Sequence, residues 1–190
     1  MADEQPTPTH VTPEQFFEQL LPAGFAAQKE SGAAVPQDFS MQYHVTGDGG
    51  GEWHVAIKDG AMTTKKGSDE AVLTYTISIG DFLDAILGRN GAAPVILLPA
   101  NRPGRPDNSG RAKTLKGTIS QELARDSGDP FKVEMMFNGA ATPRTVLKMK
   151  LADFVAMQEG KLNGQEAFMT GRLRIEGDMA FMMQVAALTA

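Results

Sequence analysis

Cysteine is absent from all 190 residues. That single fact removes disulfide staples, thiolate zinc sites, iron–sulfur ligation and a cysteine nucleophile. Histidine is scarce as well: His10, His44 and His54 are all there is, so imidazole-based metal or triad chemistry has little to draw on. No apolar run approaches the roughly 20 residues of a membrane-spanning helix. Nor is there the cationic excess of a chain that neutralises phosphates, because 18 Lys and Arg face 23 Asp and Glu for a net charge of -5. Nucleic acid is therefore not an expected partner. The opening Met-Ala-Asp-Glu-Gln-Pro is acidic and polar where a secretory signal is basic and then apolar, so a cytoplasmic location is expected. What the chain does have is 42% hydrophobic and 22% charged residues, enough for one packed domain at this length.

Residues 1–12, with three Thr and two Pro and no helical period, read as a disordered lead-in to a single domain spanning 13–190. Thr12-Pro13-Glu14-Gln15 opens a helix: Thr12 caps, Pro13 suits the first helical position and Gln15 completes a capping box. From Phe39 the apolar period changes to two. Phe39, Met41, Tyr43 and Val45, then Trp53, Val55 and Ile57 across the turn Gly47–Gly51, make a hairpin with one apolar face. Residues 61–66 form a weak strand, and Ala71 to Ile79 a clear one leading into a short helix from Asp81 to Gly88. Alternation resumes through Leu115, Ile119 and Leu123, then Phe131 to Phe137, then Thr145 to Leu151, with odd positions inward throughout. A helix over Ala152 to Glu159, a short strand over Arg172 to Glu176 and a final apolar helix from Met179 to Leu188 complete the chain.

The two halves echo each other. Ala71 to Ile77 followed by Asp81-Phe82 matches Thr145 to Leu151 followed by Asp153-Phe154, and both helices then reach Gly and Asn-Gly. Residues 13–91 and 115–190 thus read as related halves, joined by a basic Pro/Gly loop and sharing one sheet. Chance similarity of two short strand–helix joins is the competing reading. The run Leu147 to Met183 contains Asp153-Phe154, Gly160-Lys161-Leu162-Asn163, Ala167-Phe168, Gly171-Arg172-Leu173-Arg174-Ile175 and Gly177-Asp178-Met179. It resembles the C-terminal half of the sterol carrier protein type 2 domain. Phe39 to Ile57 with Trp53, Asp59-Gly60, and Leu73 to Asp81-Phe82-Leu83 resemble that family's N-terminal half. The departure is an insertion: a family member would pass from the Asp-Phe helix straight to the closing strand, whereas here residues 93–150 repeat the strands. The resemblance implies an α+β fold, a mostly antiparallel twisted sheet with helices on one face, and an apolar ligand in a tunnel between sheet and helices that the last helix helps to close.

No residues converge on catalysis, and neither an enzyme nor a cofactor is expected: there is no nucleophile elbow, phosphate loop or His-Glu-x-x-His motif. His44 and His54 are expected to face each other across the first hairpin on its solvent side, where a third metal ligand is lacking. Asp81 and Asp153 read as helix N-caps. The unusual feature is methionine, with eight of 11 after residue 130, a side chain that repacks around varied apolar shapes and also serves as ordinary core filler. The expected function is noncatalytic binding or transfer of a fatty acid, fatty acyl-CoA, phospholipid or sterol-like ligand. Strand parity and helix stripes give its lining as Trp53, Leu73, Ile77, Phe82, Ile86, Met149, Phe154, Met157, Phe168, Met179, Met182 and Met183. Between Arg89 and Lys116 six basic residues meet only Asp107, so this segment carries +5 and the remainder -10. It is a solvated loop, a contact for an anionic membrane surface, or a holder of a ligand carboxylate or phosphate. The alternative to a carrier is an interaction module with a filled pocket that forms a homodimer through the apolar C-terminal helix. Related domains appended to larger enzymes suggest a third role, as an accessory domain.

Overall fold

The computed structural model describes residues 11–30, 38–94, 97 and 109–189. Residues 1–10 of the expected lead-in lie outside that range, but Val11 is buried in the core and Thr12 caps the first helix, so the folded chain starts before residue 13. The capping box is present, with Thr12 Oγ1 accepting from the Gln15 amide and Gln15 Oε1 accepting from the Thr12 amide, each at 3.1 Å. The helix runs as α1 (Pro13–Gln15), a π-helical turn (Phe16–Leu20) and α2 (Leu21–Glu30). Pro22 has no N–H to complete a preceding α-turn, and the wider turn sits directly before it. That turn buries both Phe16 and Phe17.

The strands of the first half are β1 (Phe39–Thr46), β2 (Gly51–Lys58), β3 (Ala61–Lys66) and β4 (Leu73–Ser78), followed by α3 (Ile79–Leu87). The second half has α4 (Ser109–Ala112), β5 (Gly117–Ala124), β6 (Phe131–Phe137), β7 (Arg144–Lys150), α5 (Leu151–Gln158), α6 (Gly164–Met169), β8 (Arg174–Gly177) and α7 (Met179–Thr189). Neither α4 nor α6 is foreseen from periodicity, since four and six residues are too few to show one. The eight strands of the described residues form one sheet in the order β3-β2-β1-β4-β6-β5-β7-β8. Only β1–β4 and β5–β7 are parallel, so the sheet is mostly antiparallel and the fold is α+β.

Each half lays an antiparallel hairpin, adds a third strand parallel to the hairpin's first strand, and turns that strand directly into a helix. The registers Val45 to Ile77 and Leu123 to Met149 fix the correspondence. Leu73 answers Thr145 and Ile77 answers Met149, two residues away from the match read in the sequence. A two-residue slip leaves every side chain on the same face, so alternation cannot detect it. The helix starts agree: the N-caps are Ser78 and Lys150, and Asp81 and Asp153 both stand at the third helical position, not at the caps. The edges explain how two halves make one sheet. β8 lies along the outer edge of β7, whereas the corresponding edge of β4 is occupied by β6 from the other half.

Odd residues do face inward on seven strands. On β3 the inward positions are even, because Met62 pairs with Ile57. The helices cover this face. Phe17 stacks on Trp53 with ring centroids 4.9 Å apart and on Phe82 at 5.5 Å, and Tyr43 stacks on Tyr75 at 5.0 Å. Phe181 of α7 meets Phe137 and lies so close over Gly117 that a Cβ there would stand 2.7 Å from its ring. The opposite face is polar, with Arg144 bonded to Ser120 and Glu134, and Lys148 to Glu176.

A buried ion cluster joins the halves. Arg125, just beyond β5, places Nη2 2.8 Å from Asp81 Oδ1 and 2.7 Å from Asp84 Oδ2, both on α3. Its guanidinium also lies 5.6 Å from the centre of the Phe131 ring. Asp81 Oδ2 further accepts from Ser78 Oγ and from the Lys132 amide. The acid read as a simple cap is therefore the anchor of the junction between β4–α3 and β5–β6.

Candidate functional site

The inner face of the second half is the candidate. β5 contributes Ile119, Gln121 and Leu123, β6 Phe131, Val133 and Phe137, and β7 Leu147 and Met149, all buried. Above them lie Phe154 of α5 and Phe181, Met182 and Val185 of α7. This wall combines four phenylalanines with aliphatic side chains and the thioethers of Met149 and Met182.

The twelve residues expected to line a tunnel divide into three groups. Trp53, Leu73, Ile77 and Phe82 are buried in the first half, Trp53 and Phe82 against Phe17, and Ile86 is half-buried. Met149, Phe154 and Met182 are buried in the second half, with Met157 packed against them. Those nine share one continuous core cluster. Phe168, Met179 and Met183 stand outside it, 48%, 45% and 64% exposed. Along α7 the buried residues Phe181, Met182 and Val185 thus alternate with an exposed stripe of Met179, Ala180, Met183 and Ala187.

Two recesses flank this region. One, of about 240 Å³, lies between α4 and α7 and is lined by Arg111, Thr114, Leu115, Gln184, Ala187 and Leu188. There Arg111 Nη1 donates to the Ala187 carbonyl at 3.3 Å, placing a cation at the C-terminal end of α7. The other is an open groove of about 600 Å³ where the ends of β5 and β7 meet the turn before β8. Lys148, Lys150, Arg172 and Arg174 line it against Glu122 and Asp153.

Two features of the site escape a reading by residue type. Gln121 sits on the inner face, 6% exposed, with its Oε1 lacking a hydrogen-bond partner among the described residues. The signal available was a lone polar residue at an odd position between Ile119 and Leu123. Arg125 likewise follows directly on a strand end and looks like an ordinary turn residue. The histidine expectation is corrected. His44 is opposite Glu52, with Nδ1 2.8 Å from Oε1, and His54 is opposite Gln42, so the two rings do not meet. Among the described residues no group of three His, Asp or Glu could hold a metal, and no helix is long and apolar enough to cross a membrane. In the basic segment, Arg102 and Arg105 lie outside the described residues, while Lys113 and Lys116 are exposed.

A mixed sheet with its helices on one apolar face defines an α+β domain, and sequence comparison adds a family match. Residues 100–190 match the SCP-2 sterol transfer family. The matched stretch contains the candidate site. A curated relative is peroxisomal multifunctional enzyme A of Dictyostelium discoideum, 34% identical over 73 residues, which are 38% of this chain and 17% of that protein. The match thus spans about a sixth of that relative's length. Similar solved structures include the apo form of sterol carrier protein 2 from Yarrowia lipolytica, at 20% identity and TM-score 0.31, covering 38% of this chain and 65% of that one. The sterol carrier protein domain 2 of Helicoverpa armigera, at 17% identity and TM-score 0.30, covers 95% and 91%. Palmitated SCP2L2 from Aedes aegypti, at 12% identity and TM-score 0.31, covers 94% and 95%.

Proposed function

We propose that this chain binds and transfers a hydrophobic ligand, such as a fatty acid, fatty acyl-CoA, phospholipid or sterol-like molecule, between the inner face of β5–β7 and helices α5 and α7. The observation that carries the reading is the coincidence of the family match with the methionine-rich half, where α7 is apolar both on its buried side and along its exposed stripe. Met149, Phe154, Met157 and Met182 form the lining, and Phe168, Met179 and Met183 close over the ligand as α7 adjusts. Trp53, Leu73, Ile77, Phe82 and Ile86 are the rigid continuation of that wall. Thioethers suit such a site because three rotatable bonds let the core repack around a guest. Each methylene taken out of water contributes roughly 0.8 kcal/mol, so a chain of a dozen can offset the entropy of association. The basic 89–116 segment would face an anionic membrane surface during loading, and the protein would act without catalysis.

A photoreactive fatty acyl probe tests the placement. The expected result is crosslinking to peptides carrying Met149, Phe154 or Met182, competed by unlabelled fatty acid. Labelling confined to the exposed Phe168 and Met169 would contradict an internal site and favour a surface that pairs with a second copy.

A further inference from the structure

The two strand–helix junctions correspond, yet only the first is closed. There Ser78 caps α3 by accepting from the Asp81 amide, and Arg125 fills the space beside Asp81 and Asp84. In the second half the cap position of α5 falls to Lys150, whose side chain makes no cap bond, and Asp153 faces Arg172 at a loose 3.7 Å. This junction opens into the groove of about 600 Å³, where Lys148, Lys150, Arg172 and Arg174 against Glu122 and Asp153 leave a charge of +2. Register explains the crowding. Lys148 stands directly opposite Arg174 on β8 and Glu122 on β5, and Lys150 follows two residues on, so these side chains rise from backbone positions roughly 5–7 Å apart. Like charges directly opposite on neighbouring strands are unfavourable for the sheet itself. Lys148 is relieved by Glu176 at 2.8 Å and Glu122 at 3.8 Å, whereas Lys150 and Arg174 have no carboxylate within ion-pair distance among the described residues. The fold thus gathers cations around a helix start that its own N-cap side chain leaves open, and two of them lack a counter-charge.

We propose that this groove is a second binding site, for the dianionic phosphate of a phosphate monoester, held between Lys150 and Arg174 with Arg172 at its rim. Two uncommitted cations match a dianion, whereas a carboxylate satisfies one and leaves the other. The terminal phosphate oxygens can accept together from the Arg174 guanidinium, the Lys150 ammonium and the first-turn amides of α5. Arginine supplies the planar fork and lysine the point charge, the pairing that phosphate recognition favours. The site goes beyond the carrier reading and does not depend on it. Lys148, Lys150 and Arg174 occupy exposed, outward positions of the sheet, while Met149 between the two lysines is buried in the apolar core. A soluble ester and the head of a phosphomonoester lipid present the same group.

The experiment titrates phenyl phosphate and benzoate into the ¹⁵N-labelled full chain at constant ionic strength. Phenyl phosphate should give saturable shifts of the Leu151, Ala152, Arg172 and Arg174 amides and bind about tenfold more tightly than benzoate. Lys150→Gln and Arg174→Gln should each weaken it about tenfold, and Lys65→Gln, which removes an exposed cation elsewhere, should leave it unchanged. Uptake of a fluorescent acyl probe should be the same in all three variants. Flotation with phosphatidylcholine vesicles containing phosphatidic acid then assigns the source: binding lost in Arg174→Gln places the phosphate on a lipid, and no flotation alongside phenyl phosphate binding places it on a soluble ester. Equal binding of the two probes, shifts that fail to saturate, or an affinity unchanged in both groove variants refutes the phosphate site and leaves the carrier reading standing. Loss of acyl-probe uptake in parallel with phosphate would overturn its separateness.

Discussion

Arg125→Met should lower the unfolding free energy by about 3–5 kcal/mol, the cost of breaking a buried ion pair from one side. The guanidinium is 15% exposed and bridges Asp81 and Asp84, which are 12% and 15% exposed. Removing it leaves two carboxylates enclosed at the junction with no cation between them. Asn90, which donates to both oxygens of Asp84, cannot neutralise either. The effect should exceed that of cutting any surface pair, such as Lys65 with Asp69, where exposure above one half limits the contribution to well under 1 kcal/mol. Adding Asp81→Asn to Arg125→Met should recover part of the loss, because one of the uncompensated charges is then gone. Chemical denaturation of the single and double variants measures both quantities. A loss below about 1 kcal/mol for Arg125→Met would mean that β4–β6 pairing alone holds the halves together.

The second large effect is at high pH. The chain has only two tyrosines, and both are buried. Burial pushes the Tyr75 phenol far up, and burial together with the neighbouring Tyr75 does the same for Tyr43. In the unfolded chain each titrates near pH 10. Above that pH the unfolded state releases two protons that the folded state retains, so stability falls as pH rises, by about 1.4 kcal/mol per pH unit for each tyrosine. The stabilisation is fully present below pH 10. Phenolate absorbance should therefore appear only as the sheet signal in circular dichroism disappears, in one step. Phenolate formation near pH 10 with the sheet intact would show that the Tyr43–Tyr75 stack is open to solvent.

Much of this architecture is written in short-range patterns. The capping box at Thr12, the alternation through β1, β2, β4, β6 and β7, and the glycine that stops α3 at Gly88, with φ 63°, are local devices and appear where the residues place them. Long-range relations are less legible. The exchange of edges between β4 and β6, and the Arg125 bridge to α3, join residues more than 40 positions apart and leave no periodic trace. Hairpin register is a similar case: parity fixes which face His44 occupies, yet a shift of two residues decides whether it meets His54 or Glu52, and the four-residue glycine-rich turn between Thr46 and Gly51 sets that shift. The apolar lining was read by type, which identified the core members but could not separate Met182, turned inward, from Met183, turned outward one residue later on a helix apolar nearly all round.

The central claim is that the domain holds a lipid, and native mass spectrometry of the protein as purified, and again after incubation with fatty acid, fatty acyl-CoA and sterol, tests it most directly. The account predicts one stoichiometric lipid per chain in the native spectrum, lost on denaturation and recovered in the organic extract. A clean ligand-free mass under every condition, accompanied by a concentration-dependent doubling, would contradict it and identify the α7 stripe as a contact between two copies of the chain.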